Sequence, residues 1–173
     1  MSNDSKWHQN KNDLFTPSLD GITQPTEKTG RRPWTTNAMF LVAFFGGVLA
    51  YTVIACINGK RLGVSKDKQL LSVLLGVLGL FAIVLLGYMS GVNGFPQRGT
   101  NEYNMLRFGG RIISLLVYFA VTLLQKPMNR IYAYHSTNPQ PYESLLIPGI
   151  IASVVLGVLQ AVFVVFAIDF IPR

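Results

Sequence analysis

The sequence predicts an all-α membrane protein: a bundle of four transmembrane helices behind a disordered N-terminal tail. Three observations point there. Only 13% of the 173 residues are charged, where soluble domains carry roughly 25% because charge keeps a folded surface dissolved. Mean hydropathy is +0.36. The charges gather in the tail and in the joints between long uncharged runs, and about 20 such residues cover the roughly 30 Å hydrocarbon core of a bilayer. Length alone would not decide the matter, since a chain of this size can also bury a core in water.

Residues 1–36 are polar, rich in Asn, Asp, Thr, Pro and Lys, without apolar periodicity, and read as the disordered tail. Residues 37–173 form the helical domain. Its first helix is expected over residues 38–57 and its second over 70–90, with the polar joint Asn58 to Gln69 making them antiparallel neighbours. The third, over 106–124, is the marginal one. Its uncharged part, Ile112 to Leu124, is too short to span alone, and extending it to Leu106 brings in Arg107 and Arg111. These sit at i and i+4 on one face, where both can snorkel toward headgroups. Pro127 with Lys126 and Arg130 marks its far end, and Gln125 to Glu143 reads as a loop punctuated by Pro139 and Pro141. The fourth helix is expected over 145–168, with Pro148 in its first turn, where a missing N–H costs little.

Inside lipid, burial does not drive helices together, so close backbone approach through small residues has to. The fourth segment carries Gly149, Ser153, Gly157 and Ala161 at four-residue spacing, one slowly drifting stripe. The second carries Ser72, Gly76, Gly79, Gly87 and Ser90, with Gly87 and Gly91 forming a G-x-x-x-G; the first offers Gly46 and Gly47. These are the expected helix-packing positions. Gln160 is the strongly polar side chain near the middle of the fourth segment and is expected to hydrogen-bond a neighbouring helix.

Motifs for chemistry are missing from the sequence. The net charge of +7 comes without a basic stripe interleaved with aromatics, which argues against nucleic acid and for cationic helix ends facing anionic headgroups. Cys56 cannot pair within the chain and packs as a small hydrophobe; the lipoprotein-like Val53-Ile54-Ala55-Cys56 follows too long a polar region to be a cleavage site. His8 and His135 are isolated, so no metal site is expected. Outside the tail the carboxylates Asp67, Glu102, Glu143 and Asp169 are scattered, whereas acid–base catalysis needs a positioned group or pair. No catalytic residue and no cofactor is assigned. Arg107 and Arg111 remain as headgroup anchors, with an anionic headgroup or a partner carboxylate as what they could cradle.

Residues 45–63 read F-G-G-V-L-A-Y-T-V-I-A-C-I-N-G-K-R-L-G. This resembles an uncharacterised family of small bacterial polytopic membrane proteins, in which a helix with F-x-G-G-P-L-A-G is followed by an Asn and then L-G. Gly46, Gly47, Leu49, Ala50, Asn58, Leu62 and Gly63 match; Val48 replaces the family's Pro and Tyr51 its Gly. The resemblance covers about twenty residues. It implies a bacterial inner membrane and a polytopic fold, but no activity, and losing the Pro implies a straighter first helix. Asn58 and Gly63 look like the end of the helix and its turn.

Basic residues are enriched on the cytoplasmic side of a membrane. Four spans place Lys28, Arg31, Arg32, Arg98, Arg107, Arg111 and Arg173 on one side, and Lys60, Arg61, Lys66, Lys68, Lys126 and Arg130 on the other. Seven against six leans only slightly toward a cytoplasmic N-terminus. Without the third span the count becomes eight against five in the same direction. The expected function is that of a non-enzymatic inner-membrane protein acting through protein contacts, such as an immunity or accessory factor. Its partners are the lipid bilayer and another protein or a second copy. The alternatives are a subunit of an oligomeric channel or transporter, and a lipid-modifying enzyme using scattered loop residues.

Overall fold

The computed structural model describes residues 31–91, 97, 99–135 and 142–170. Four α-helices follow one another: α1 (Thr36–Arg61), α2 (Lys66–Met89), α3 (Asn101–His135) and α4 (Leu146–Asp169). All four are long and apolar enough to cross a membrane, as the sequence predicts. The tail up to residue 30 lies outside the described residues. Its expected end does not: Pro33 and Trp34 are buried, so the folded domain begins before residue 37.

The helix boundaries follow local chemistry. Thr35 caps α1, its hydroxyl oxygen accepting from the Ala38 N–H at 3.4 Å. Gly63, at φ +69°, closes the C-terminal turn while the Leu62 N–H reaches the Asn58 carbonyl at 2.9 Å. Thr100 opens α3, accepting from the Tyr103 N–H at 3.2 Å, five residues before the expected start. The far end of α3 corrects the sequence reading more sharply, because the helix runs through Pro127 to His135. A proline inside a helix removes one backbone donor and crowds the carbonyl four residues back, so the helix continues only where its neighbours hold it. The turn beyond it is held by Asn129, whose amide donates to the Thr36 hydroxyl at 3.0 Å and whose carbonyl accepts from the Tyr142 hydroxyl at 2.9 Å. Partial burial, with Tyr132 alongside, holds the Tyr142 phenol above its ordinary pKa.

The path of α1 is the main departure from expectation. Gly47 has φ +77° and ψ −169°, a conformation open essentially to glycine, and it breaks the helix in the middle. A straight helix would separate Thr36 from Asn58 by about 33 Å. Instead the Trp34 N–H donates to the Asn58 side-chain oxygen at 2.7 Å, and the Asn58 amide meets the Met39 sulfur at 3.4 Å. The two halves, 36–46 and 48–61, therefore lie against each other as a helical hairpin with its tip at Gly47. The straighter helix implied by Val48 is not what forms. Removing proline is not sufficient, because Gly47 alone supplies the backbone freedom for the reversal.

A knot of side chains closes the open end of this hairpin. The Arg61 guanidinium lies 3.9 Å over the Trp34 ring, donates to the Arg32 carbonyl at 2.7 Å and pairs with Glu143 at 2.7 Å. Glu143 in turn donates its N–H to the Pro33 carbonyl at 3.0 Å, so the start of α4 is tied to the same end.

The hairpin is the core of the molecule and the other three helices wrap it. Ala43, Val48, Ala50, Tyr51 and Ala55 are fully enclosed. The Tyr51 hydroxyl donates to the Tyr118 carbonyl at 3.2 Å, and the Gln125 amide to the Ala55 carbonyl at 2.9 Å, fixing the hairpin to α3. Both are side-chain donors satisfying buried carbonyls, which lipid cannot do. From the knot, α2 runs up past the tip, α3 returns and α4 runs up again. The tip lies level with Gly79 and Val117, near the middle of α2 and α3. α2 touches both α3 and α4, but no Cα of α3 comes within 8 Å of one in α4. Below the tip the hairpin fills that gap. Above the tip the gap is closed only at its upper end, where Leu106 of α3 and Ile168 of α4 both reach Gly87.

Candidate functional site

The small residues come first, because they bring the site together. Gly46 faces α4 so closely that a Cβ there would stand 2.7 Å from the Ser153 Cα, a backbone atom that cannot step aside. A Cβ on Gly157 would meet the Gly46 carbonyl oxygen at 3.4 Å, and one on Gly149 the Val42 side chain at 3.2 Å. Gly149, Ser153 and Gly157 thus form a rail along which the first half of the hairpin is laid. Gly76 is packed against Thr52, and Gly87 against Ile168. Three positions grouped with these do other work. Gly91, at φ +74°, ends α2, with no atom of the described residues beyond its chain neighbours within 4 Å of a would-be Cβ. Ala161 lies one turn beyond the rail, exposed on the wall of a cavity. Gly47 is the break itself.

Gln160 meets the break. Its side-chain oxygen accepts the Leu49 N–H at 2.8 Å, one of the donors left without a helical partner where the second half of the hairpin starts. A neighbouring helix is the expected partner for Gln160; the actual one is a new helix end created inside the apolar region. The Gln160 amide nitrogen has no hydrogen-bond partner among the described residues and borders the cavity.

That cavity, about 680 Å³, stands directly above the hairpin tip. Phe44 to Gly47 make its floor, Ile83 of α2 its back, and α3 and α4 its two sides. The α4 side is apolar apart from Ser153 and Gln160. The α3 side carries Arg107, Arg111 and Ser114. Arg111 lies ten residues into α3, about 15 Å along it. Its guanidinium carbon is 4.8 Å from the Phe44 ring, so the charge leans over the tip rather than outward. Arg107 stands one turn higher, 6.0 Å from the rings of Tyr103 and Phe108. No carboxylate among the described residues pairs with either. A second hollow of about 550 Å³, lined by Gly99, Tyr103, Asn104 and the same two arginines, continues to that end of the molecule. The arginines therefore separate an outer vestibule from an inner apolar chamber.

Electrostatics at the tip favour negative charge. Two cations line the α3 wall, whereas at the floor the C-terminal end of helix 36–46 and the N-terminal end of helix 48–61 lie side by side with opposed dipoles, so the arginines supply the field. Ser114 is already spent, its hydroxyl donating to the Gly110 carbonyl at 2.9 Å. Nothing in the chamber offers a base and nucleophile within reach of each other. Among the described residues no three His, Cys, Asp or Glu side chains stand together as metal ligands.

Several of these residues were missed by sequence reasoning as parts of one site. Arg107 and Arg111 are singled out there as headgroup anchors that could cradle an anionic headgroup or a partner carboxylate, and Gln160 only as a lone polar group, with nothing to join them. The signal that joins them is a Gly-Gly pair in mid-segment on one helix and a glutamine in mid-segment on another. One can break a helix and the other can satisfy the break. No protein-family model, no curated protein and no solved structure matches this chain.

Proposed function

We propose that this integral membrane protein receives an anionic group in the chamber above the hairpin tip, as a binding or carrier protein rather than an enzyme. The observation that carries the reading is the pair Arg107 and Arg111 on the wall of this cavity, with no carboxylate partner among the described residues. Broken helices that gather binding groups near the bilayer midplane are a recurring device of membrane transporters. Charged side chains at such depth are otherwise expensive.

The hairpin also supports an orientation. Both its ends lie at the knot, so α1 re-enters the membrane and α2, α3 and α4 cross it. Among the described residues Arg31, Arg32, Lys60, Arg61, Lys66, Lys68, Lys126 and Arg130 then share the knot side, against Arg107 and Arg111 on the other. Eight against two replaces the four against six that a four-span path gives the same ten residues, and the positive-inside rule then favours a cytoplasmic knot and N-terminus. The vestibule opens on the opposite face. The reading of a factor acting through external protein contacts loses its main support, since Gly46, Gly76, Gly87, Gly149 and Gly157 are occupied within the chain.

The test is a charge comparison at one thiol. On a Cys56→Ser background, Ser153→Cys is treated in sealed vesicles with anionic and cationic methanethiosulfonates of similar size. The anionic reagent should react faster, and only from the non-cytoplasmic side, with the preference lost in Arg107→Gln/Arg111→Gln. Equal rates, or modification from the cytoplasmic side, would refute the proposal.

A further inference from the structure

The chamber has a second opening besides the vestibule, and it faces the bilayer. Above the tip, α3 and α4 stand apart with no Cα pair within 8 Å. The edges of that gap are apolar and outward: Phe45 on the floor, Val154 and Val158 on α4 are all exposed yet also line the chamber. A site for a water-soluble anion gains nothing from such an opening. Every lipid-facing gap admits acyl chains, and a purely aqueous site is better sealed against them. The lining is mixed: Arg107 and Arg111 stand toward the vestibule, Phe44, Ile83, Leu106, Val164 and Val165 supply apolar wall, and Gln160 sits at the floor.

Resting on the anion-receiving reading above, we infer that the ligand is an anionic amphiphile of the non-cytoplasmic leaflet, which enters sideways between α3 and α4. Its acidic headgroup reaches Arg107 and Arg111, where the vestibule keeps it in touch with water. An apolar chain lies in the chamber over the hairpin tip. The volume is of the size that holds one small molecule, roughly 300–1,000 Å³, so a second chain stays in the bilayer through the gap. The arrangement asks little of the protein. The vestibule gives the charged group a wet route down to the arginines, and the chain exchanges one apolar surrounding for another. Selectivity then comes from charge, because a zwitterionic headgroup brings its own cation to the two arginines.

The experiment uses the full chain, delipidated in a neutral maltoside detergent, with lipid retention read by native mass spectrometry. Three probes are compared: phosphatidylglycerol, phosphatidylcholine and free glycerol phosphate. The expected result is one retained phosphatidylglycerol, at least tenfold preferred over phosphatidylcholine, with no retention of glycerol phosphate. Arg107→Gln/Arg111→Gln should abolish the preference. Val158→Trp, which narrows the gap without touching either arginine, should reduce lipid retention several-fold. In the Ser153→Cys assay Val158→Trp should leave the anionic reagent's advantage intact. Equal retention of the two lipids overturns the inference, and so does binding of glycerol phosphate as strong as that of the lipid. If phosphatidylglycerol is not retained while the thiol still prefers the anionic reagent, the lipid inference fails and the anion reading survives. Loss of both removes the two together.

Discussion

Replacing Gly47 with alanine separates a broken first helix from a continuous one by the sign of the change. In a continuous helix an alanine is the better residue, by roughly 0.5–1 kcal/mol. At φ +77° and ψ −169° the substitution instead forces an L-residue into a region reserved for glycine, which costs about 1–3 kcal/mol. The new methyl would also stand 2.8 Å from both polar atoms of the Gln160 side chain, so the glutamine must leave the Leu49 N–H. Interhelical hydrogen bonds in membranes contribute about 0.6 kcal/mol on average and up to roughly 1.7. Together the loss comes to roughly 2–4 kcal/mol, and with each ~1.4 kcal/mol a tenfold change in equilibrium constant the shift is large. Denaturation by SDS in mixed micelles reads it. A double-mutant cycle sharpens the test, because Gln160→Ala should cost far less in the Gly47→Ala background than in the wild type. A neutral or stabilising Gly47→Ala, or full additivity with Gln160→Ala, would show that the hairpin does not exist.

Other substitutions read the rest of the fold. Asn58→Leu strands the buried Trp34 N–H, at about 1–3 kcal/mol, and in a Trp7→Phe background the emission of Trp34 should shift to the red as the knot opens. An unshifted spectrum with unchanged stability would contradict the hairpin's closure. Gly76→Ala drives a methyl into Thr52 and should destabilise by about 1–3 kcal/mol as overpacking does, with Thr52→Ala recovering much of the loss. Topology reporters placed before Pro33 and in the joint at Gly63 should report the same side of the membrane, with one after Phe170 on the other. Opposite sides for the first two would mean that α1 crosses.

The helical class was legible because it rests on composition and on runs of uncharged residues, which lipid selects directly. The four elements were legible for the same reason. What escaped is where a run of suitable length goes. Residues 38–57 satisfy every requirement of a crossing segment, and their mean hydropathy does not register that one glycine reverses the chain. The interactions that decide the path are far apart in sequence: Trp34 with Asn58, Arg61 with Glu143, Leu49 with Gln160. Pro127 misled in the opposite sense. It was read as a stop, yet Asn129 and Tyr142 hold the next turns in place. The two arginines were legible as residues but not as a site, since a helix wheel shows their shared face and not what that face looks upon.

The knot at the hairpin's base has a consequence for biogenesis. A ribosome delivering residues 38–57 offers the insertion machinery what any signal anchor offers, and nothing in that stretch forbids threading it through. Threading would carry Lys60, Arg61, Lys66 and Lys68 across and leave Trp34 and Arg61 on separate faces, unable to meet. Closure of the knot therefore requires that both ends of the hairpin stay on one side of the membrane, and a chain that has threaded through carries an Arg61 without its Trp34 and Arg32 contacts.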